Sequence, residues 1–148
     1  MKGTVLTYGY SENDFLSHWT KNKNLEKSSF FDYYISRDLN KKFQDDKVFY
    51  GDEDVFISLD GAILNLKNLK NKYSAKSNFD LLKKMYQLHG ERFINNLRGD
   101  VSIFLFDINK KTLLAYTNTT TTKPLYYYFC NNENKIAISS NPLLLVNT

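Results

Sequence analysis

The most continuous apolar pattern is Val101–Phe106, where both alternating faces are hydrophobic: Val101, Ile103 and Leu105 on one, Phe104 and Phe106 on the other, with Ser102 the exception. A strand apolar on both faces is covered on both sides, so it belongs inside a layered fold. Asp107–Lys111 is a polar break suited to a hairpin turn. Leu113–Ala115, the stretch Lys123–Tyr127 and Ile136–Ser140 read as three more short strands, with Pro124 at a strand start where its missing N–H is tolerated.

Upstream, Lys2–Tyr10 reads as a first strand. Ser11-Glu-Asn-Asp14 resembles a capping box leading into a short helix over Phe15–Trp19. Asn22–Lys27 reads as a polar loop, Phe30–Ile35 as one aromatic strand, and Asn40–Lys47 as a second loop. Val48–Tyr50 and Val55–Leu59 pair around the turn Gly51–Asp54. Leu66, Leu69 and Tyr73 place a short helix after Asn65. Ser77-x-x-Asp80 starts another, with Leu81, Leu82, Met85 and Leu88 as its apolar stripe and Gly90 as its stop. Phe93, Ile94 and Leu97 add a helical turn or two. Asn at the N-cap and Pro at N1 start a last helix over Leu143–Val146. Periodicity alone gives an α+β fold.

Composition narrows the class. A length of 148 residues suits one domain, 1–148, with a real core. The net charge of +4 comes from scattered lysines, so a solvated face is expected and no specific nucleic acid partner. No apolar run could span a bilayer and no secretion signal opens the chain, so the expected location is cytoplasmic, away from membranes. The single cysteine, Cys130, follows four aromatics and reads as a small buried hydrophobe. His18 and His89 stand alone, no spacing suits a metal and no Gly-rich phosphate loop appears, so neither metal nor cofactor is expected.

The order Gly99-Asp-Val-Ser-Ile-Phe-Leu-Phe-Asp107, Leu113-Leu-Ala115, Lys123-Pro-Leu-Tyr-Tyr127 and Ile138-Ser-Ser140 resembles the N-terminal glutaminase domain of the asparagine synthetases. That is a class II glutamine amidotransferase domain of the N-terminal-nucleophile hydrolase type. The resemblance implies an αββα four-layer sandwich of two stacked, mainly antiparallel sheets. It covers most of the chain from Val55 to Val146, and weakly the opening strand.

The same resemblance locates the chemistry, and each position differs from the pattern. Where the family carries an N-terminal cysteine nucleophile this chain has Lys2, followed in register by Gly3. A protonated ammonium is a poor amide nucleophile. The family's Asn-Gly oxyanion site falls on Asp60-Gly61. An ionised Asp60 has no amide to donate, and losing one such donor typically costs about a hundred- to a thousandfold in rate. Read without the family, Asp60-Gly61 is a good turn pair. The aspartate that holds the α-amino group of glutamine falls on Asn78, which is neutral. The family's Arg-Gly-Pro has no counterpart among Arg37, Arg92 and Arg98. The segment from Ala115 to Pro124 is one residue longer than the family's.

A retained core with erased chemistry implies a non-catalytic domain. It would assist or scaffold an ATP-dependent, asparagine-synthetase-like ligase, in peptide or secondary-metabolite biosynthesis. The alternatives are a binding protein that reuses the degenerate cleft at Lys2, Asp60, Gly61 and Asn78 for another small ligand, and a hydrolase using some other residue. Because the family's domain usually continues further, a truncated C-terminal edge is expected, together with self-association or a ligase subunit as partner.

Overall fold

The computed structural model describes residues 2–19, 25–38, 47–118 and 120–146. Among them are nine strands and three α-helices, arranged in two antiparallel sheets, so the α+β expectation holds. The chain divides into two compact units, Met1–Lys41 with Pro124–Thr148, and Lys42–Lys123.

The first unit holds β1 (Gly3–Tyr8), α1 (Glu12–Trp19), β2 (Glu26–Phe30), β3 (Tyr33–Asp38), β8 (Tyr126–Cys130) and β9 (Lys135–Ser139). Its sheet runs β2-β3-β1-β9-β8, every pair antiparallel. The predicted cap forms: the Ser11 hydroxyl accepts from the Asp14 N–H at 3.2 Å and donates to the Asp14 carboxylate at 2.7 Å. The helix buries Phe15 and Trp19 against Val5 and Leu144. Trp19 Nε1 donates to the Leu144 carbonyl at 2.6 Å, satisfying its buried N–H.

Here the sequence reading needs correction. Phe30–Ile35 is not one strand but a hairpin, with Phe31 in the left-handed region at φ 50° between β2 and β3. Glu26 and Lys27, read as loop, belong to β2 because Glu26 pairs across to the buried Arg37 guanidinium. The expected loops at residues 22–24 and 40–46 lie outside the described residues. Pro124 lies two residues before the start of β8 rather than starting it. The last helix is a single 3₁₀ turn, Pro142–Leu144, with the Asn141 side chain accepting from the Leu143 N–H as expected. Cys130 is only half-buried.

The second unit holds β4 (Val48–Gly51), β5 (Val55–Ile63), α2 (Leu66–Lys72), α3 (Asn78–His89), a 3₁₀ segment (Gly90–Asn96), β6 (Gly99–Asp107) and β7 (Thr112–Thr117). Its sheet order is β4-β5-β6-β7. Val55, Ile57, Leu59, Val101, Ile103 and Leu105 face Leu81, Leu82 and Met85 of α3, forming the main core. Phe56, Phe104 and Phe106 occupy the opposite face and are also buried, as the double-sided apolar pattern requires. Each such side chain contributes roughly 1.5–3 kcal/mol on burial. Ser77 caps α3, its hydroxyl accepting from the Asp80 N–H at 3.0 Å. Leu88, read as part of the stripe, is 68% exposed, because the buried face of α3 ends at Tyr86.

Candidate functional site

β5 does not stop at Leu59. It runs through Asp60 and Gly61 to Ile63, pairing Asp60 with Ser102, Gly61 with Val101 and Ile63 with Gly99. The turn reading of Asp60-Gly61 is therefore corrected: the two residues are strand. Gly61 has φ +127°, and a Cβ there would lie 2.0 Å from the Asp100 carbonyl oxygen. Gly99, across the ladder, has φ +146° and a Cβ there would meet the Ala62 oxygen at 2.0 Å. Only glycine lets the two backbones approach so closely in this conformation. On the other side of β6 the Val101 N–H donates to the Asn118 side-chain oxygen at 2.7 Å, just beyond the end of β7. Asn65 closes the same end, bonding the Asn96 carbonyl and the Arg98 N–H.

Asp60 projects from the sheet face turned away from α2 and α3, the face of Phe56 and Phe104, since Leu59 on the alternate parity lies in the helix-side core. The residue is only 7% exposed. Its carboxylate accepts from Lys123 Nζ at 3.0 Å. The Asp60 charge is thus met by an ammonium supplied from 63 residues downstream. Lys123 is placed by its loop: its N–H donates to the Thr121 hydroxyl and its carbonyl accepts from the Thr117 hydroxyl. Asp100 holds that loop through the hydroxyls of Thr121 and Thr122 and the Thr122 N–H. Burial pushes the Asp100 carboxyl up, but these hydroxyl and N–H donors outweigh it and hold the group below the usual carboxylate range. Sequence reasoning missed Lys123 and Asp100 as members of this cluster. The lengthened segment between Ala115 and Pro124 was the available signal, because it is the loop that carries Lys123.

Asn78 is the first residue of α3 and 8% exposed. It lines an open cleft of about 500 Å³ with Ser77, Lys47, Lys70, Tyr50 and Phe79. Tyr50 and Phe79 meet edge to face, ring centroids 4.8 Å apart. Asp60 and Asn78 thus sit on different parts of the unit, one on the face away from α3 and the other at its start.

Lys2 belongs to the first unit and is exposed. Its backbone is fixed: the Asn141 amide donates to the Lys2 carbonyl at 2.9 Å, and the Thr4 N–H donates to the Ser140 hydroxyl at 2.9 Å. Gly3 has φ +151°, and a Cβ there would approach Asn141 Cβ to 3.0 Å. The start of β1 is therefore built by Ser139-Ser140-Asn141, with a lysine at the position the resemblance gives to the nucleophile.

Among the described residues no group of three or more His, Cys, Asp or Glu could hold a metal ion. No helix among them is long and apolar enough to cross a membrane.

Two antiparallel sheets, a strand buried on both faces and the close glycine contacts of β5 and β6 are consistent with the frame of an amidotransferase-type domain. The sequence profile of the glutamine amidotransferase domain family matches residues 38–147, and the chain belongs to that family. An 87-residue stretch is 29% identical to the glutamine-hydrolysing asparagine synthetase 2 of Arabidopsis thaliana, covering 55% of this chain and 15% of that protein. The glutamine-hydrolysing asparagine synthetase of Asparagus officinalis is 26% identical over 87 residues, with the same coverage. The resemblance to the N-terminal glutaminase domain of that family holds, and the matched stretch is a small part of each relative's length.

Proposed function

We propose that this chain is a non-catalytic glutaminase-like domain that assists an ATP-dependent, asparagine-synthetase-like ligase in forming an amide, in peptide or secondary-metabolite biosynthesis. The observation that carries the reading is the ion pair between Asp60 and Lys123. Glutamine hydrolysis needs preorganised donors aimed at a developing oxyanion. Here the position given to the donor by resemblance holds an acceptor-only carboxylate whose partner is already an internal cation. Lys2 supplies no thiolate, and Asn78 gives the substrate ammonium no counter-charge.

An interaction role draws support from β8. It is the last strand of its sheet, and Tyr127 and Phe129 on it are 77% and 49% exposed. An uncharged aromatic edge of this kind is a surface suited to a protein partner.

The test is ammonia release from glutamine. The wild-type chain is expected to release none above background. Lys2→Cys alone, with the methionine removed, is expected to remain inactive, because the position that the resemblance gives to the oxyanion donor still holds Asp60 and the one it gives to the ammonium's counter-charge still holds Asn78. Lys2→Cys combined with Asp60→Asn and Asn78→Asp is the informative comparison. Robust turnover by the single variant would refute the reading. A strictly monomeric chain that captures no ligase from native extract would remove the partner half of it.

A further inference from the structure

The two edges of the first unit's sheet are built unlike each other. β2 carries Glu26 and Lys27, the kind of charge that keeps an edge strand from pairing further. β8, Tyr126-Tyr-Tyr-Phe-Cys130, carries no charge and no proline, and among the described residues only β9 pairs with it. Its apolar side chains are not turned inward. Tyr126 and Tyr128 are 40% and 41% exposed on one face, and Tyr127 and Phe129 stand out further on the other. β7, the uncharged edge of the second unit's sheet, differs, because Leu114 and Tyr116 on it pack onto the main core.

We propose that β8 pairs antiparallel with β8 of a second copy of this chain, about a two-fold axis at Tyr128. Opposite residues of an antiparallel pair share a face. This register sets Tyr127 of each copy against Phe129 of the other, so the most exposed rings gather into a cluster of four on one face. A strand that meets its own copy needs no matching of charge, and β8 brings no charge to desolvate. Its four aromatic side chains leave about two side chains' worth of surface open, roughly 400 Å² per copy. A standard interface buries about 800 Å² per partner. The pairing is therefore weak and concentration-dependent, with main-chain hydrogen bonds setting its register. It rests on the reading of β8 as an interaction surface and names the partner as a second copy.

The test is sedimentation equilibrium of the full chain over a wide concentration range. The mass should rise from one copy towards two. Tyr127→Lys should hold the chain at one copy, since a lysine on an edge strand blocks pairing. Its circular dichroism should stay that of the wild type, because the side chain it replaces is exposed. Adding Phe129→Glu to that variant should bring the dimer back, because positions 127 and 129 face each other across the axis. In a Cys130→Ser background, Tyr128→Cys should form a disulfide-linked dimer with oxidised glutathione, the opposed Cα atoms lying about 4.5–5.5 Å apart. Ser29→Cys, on the β2 edge in the same background, should not. A monomer at every concentration, a Tyr127→Lys chain that still dimerises, a charge-paired variant that stays at one copy, or equal cross-linking from the two edges would overturn the proposal. Ligase capture by a strictly monomeric chain would overturn it too, while leaving the ligase-assisting reading in place. Ammonia release by the wild type would sink the non-catalytic reading and leave the mass unchanged.

Discussion

The two ends of the β5–β6 pair both carry aspartate–lysine contacts, and they are built differently. At the Val55–Asp107 end each aspartate has several donors, some from its own turn and some from α3. Asp52 caps the β4–β5 turn, its Oδ1 accepting from the Asp54 and Val55 N–H groups, while Lys83 bridges Asp52 and Asp54 at 2.6 Å each. Asp107 accepts from the Lys110 N–H and the Tyr86 hydroxyl at 2.8 Å each. At the Gly61–Gly99 end a single long-range ammonium meets a nearly buried carboxylate, beside two glycines whose backbones nearly touch. The first arrangement closes a turn and pins α3 to it. The second holds a nearly buried charge, and it depends on a loop that Asp100 of the neighbouring strand fixes.

The largest expected effect separates the ends by backbone geometry. Gly61→Ala drives a Cβ into the Asp100 carbonyl and forces an unfavourable φ, so a loss of more than about 4 kcal/mol is expected. Denaturant melts would check it, and near-wild-type stability would mean the strands separate there at little cost. Gly51, at the other end, has no positive φ, and Ala there meets chiefly the Phe56 side chain, so a smaller loss is expected.

The next effect is an asymmetry within the ion pair. Lys123→Met leaves a buried carboxylate without its cation and should cost about 3 kcal/mol. Asp60→Asn leaves only a lysine that is 35% exposed and can turn to water, costing about 1 kcal/mol. Equal losses in the two variants would show that the pair is not held as described. Lys83→Met, whose acid partners are 29% and 40% exposed, should cost less than Lys123→Met, and added salt should narrow even that loss.

The smallest effect is in acid. Burial raises the Asp52 and Asp107 carboxyls, but the Lys83 ammonium and turn N–H groups for Asp52, and the Lys110 N–H and Tyr86 hydroxyl for Asp107, more than offset it. Asp54 is held down chiefly by Lys83, then by Asn109. All three titrate lower in the folded chain than the usual value of about 4. The unfolded chain therefore binds more protons as pH falls. The stabilisation is complete above about pH 5 and lost as pH drops through the lowered folded values. Melting temperature should fall from about pH 5 toward pH 2. Asp107→Asn should flatten part of that slope, and an unchanged slope would count against the assignment.

Local chemistry was legible in the residues. Ser11 and Ser77 announce α1 and α3, Gly90 ends α3, and the double-sided apolar run of β6 announces a buried strand, because caps and side-chain parity act over a few residues. The family resemblance was legible for the same reason, since it rests on the apolar pattern of the strand cores. What the sequence left open depends on distant partners. Glu26 and Lys27 look like loop until the buried Arg37 draws them into a hairpin. Asp60-Gly61 looks like a turn until β6 runs alongside it, and Asp60 looks like an unopposed charge until the Thr120–Lys123 loop delivers an ammonium. Those outcomes belong to the tertiary structure, because a buried charge and a backbone contact are decided by whichever remote group reaches them, and nothing within a few residues of Asp60 encodes which group that is.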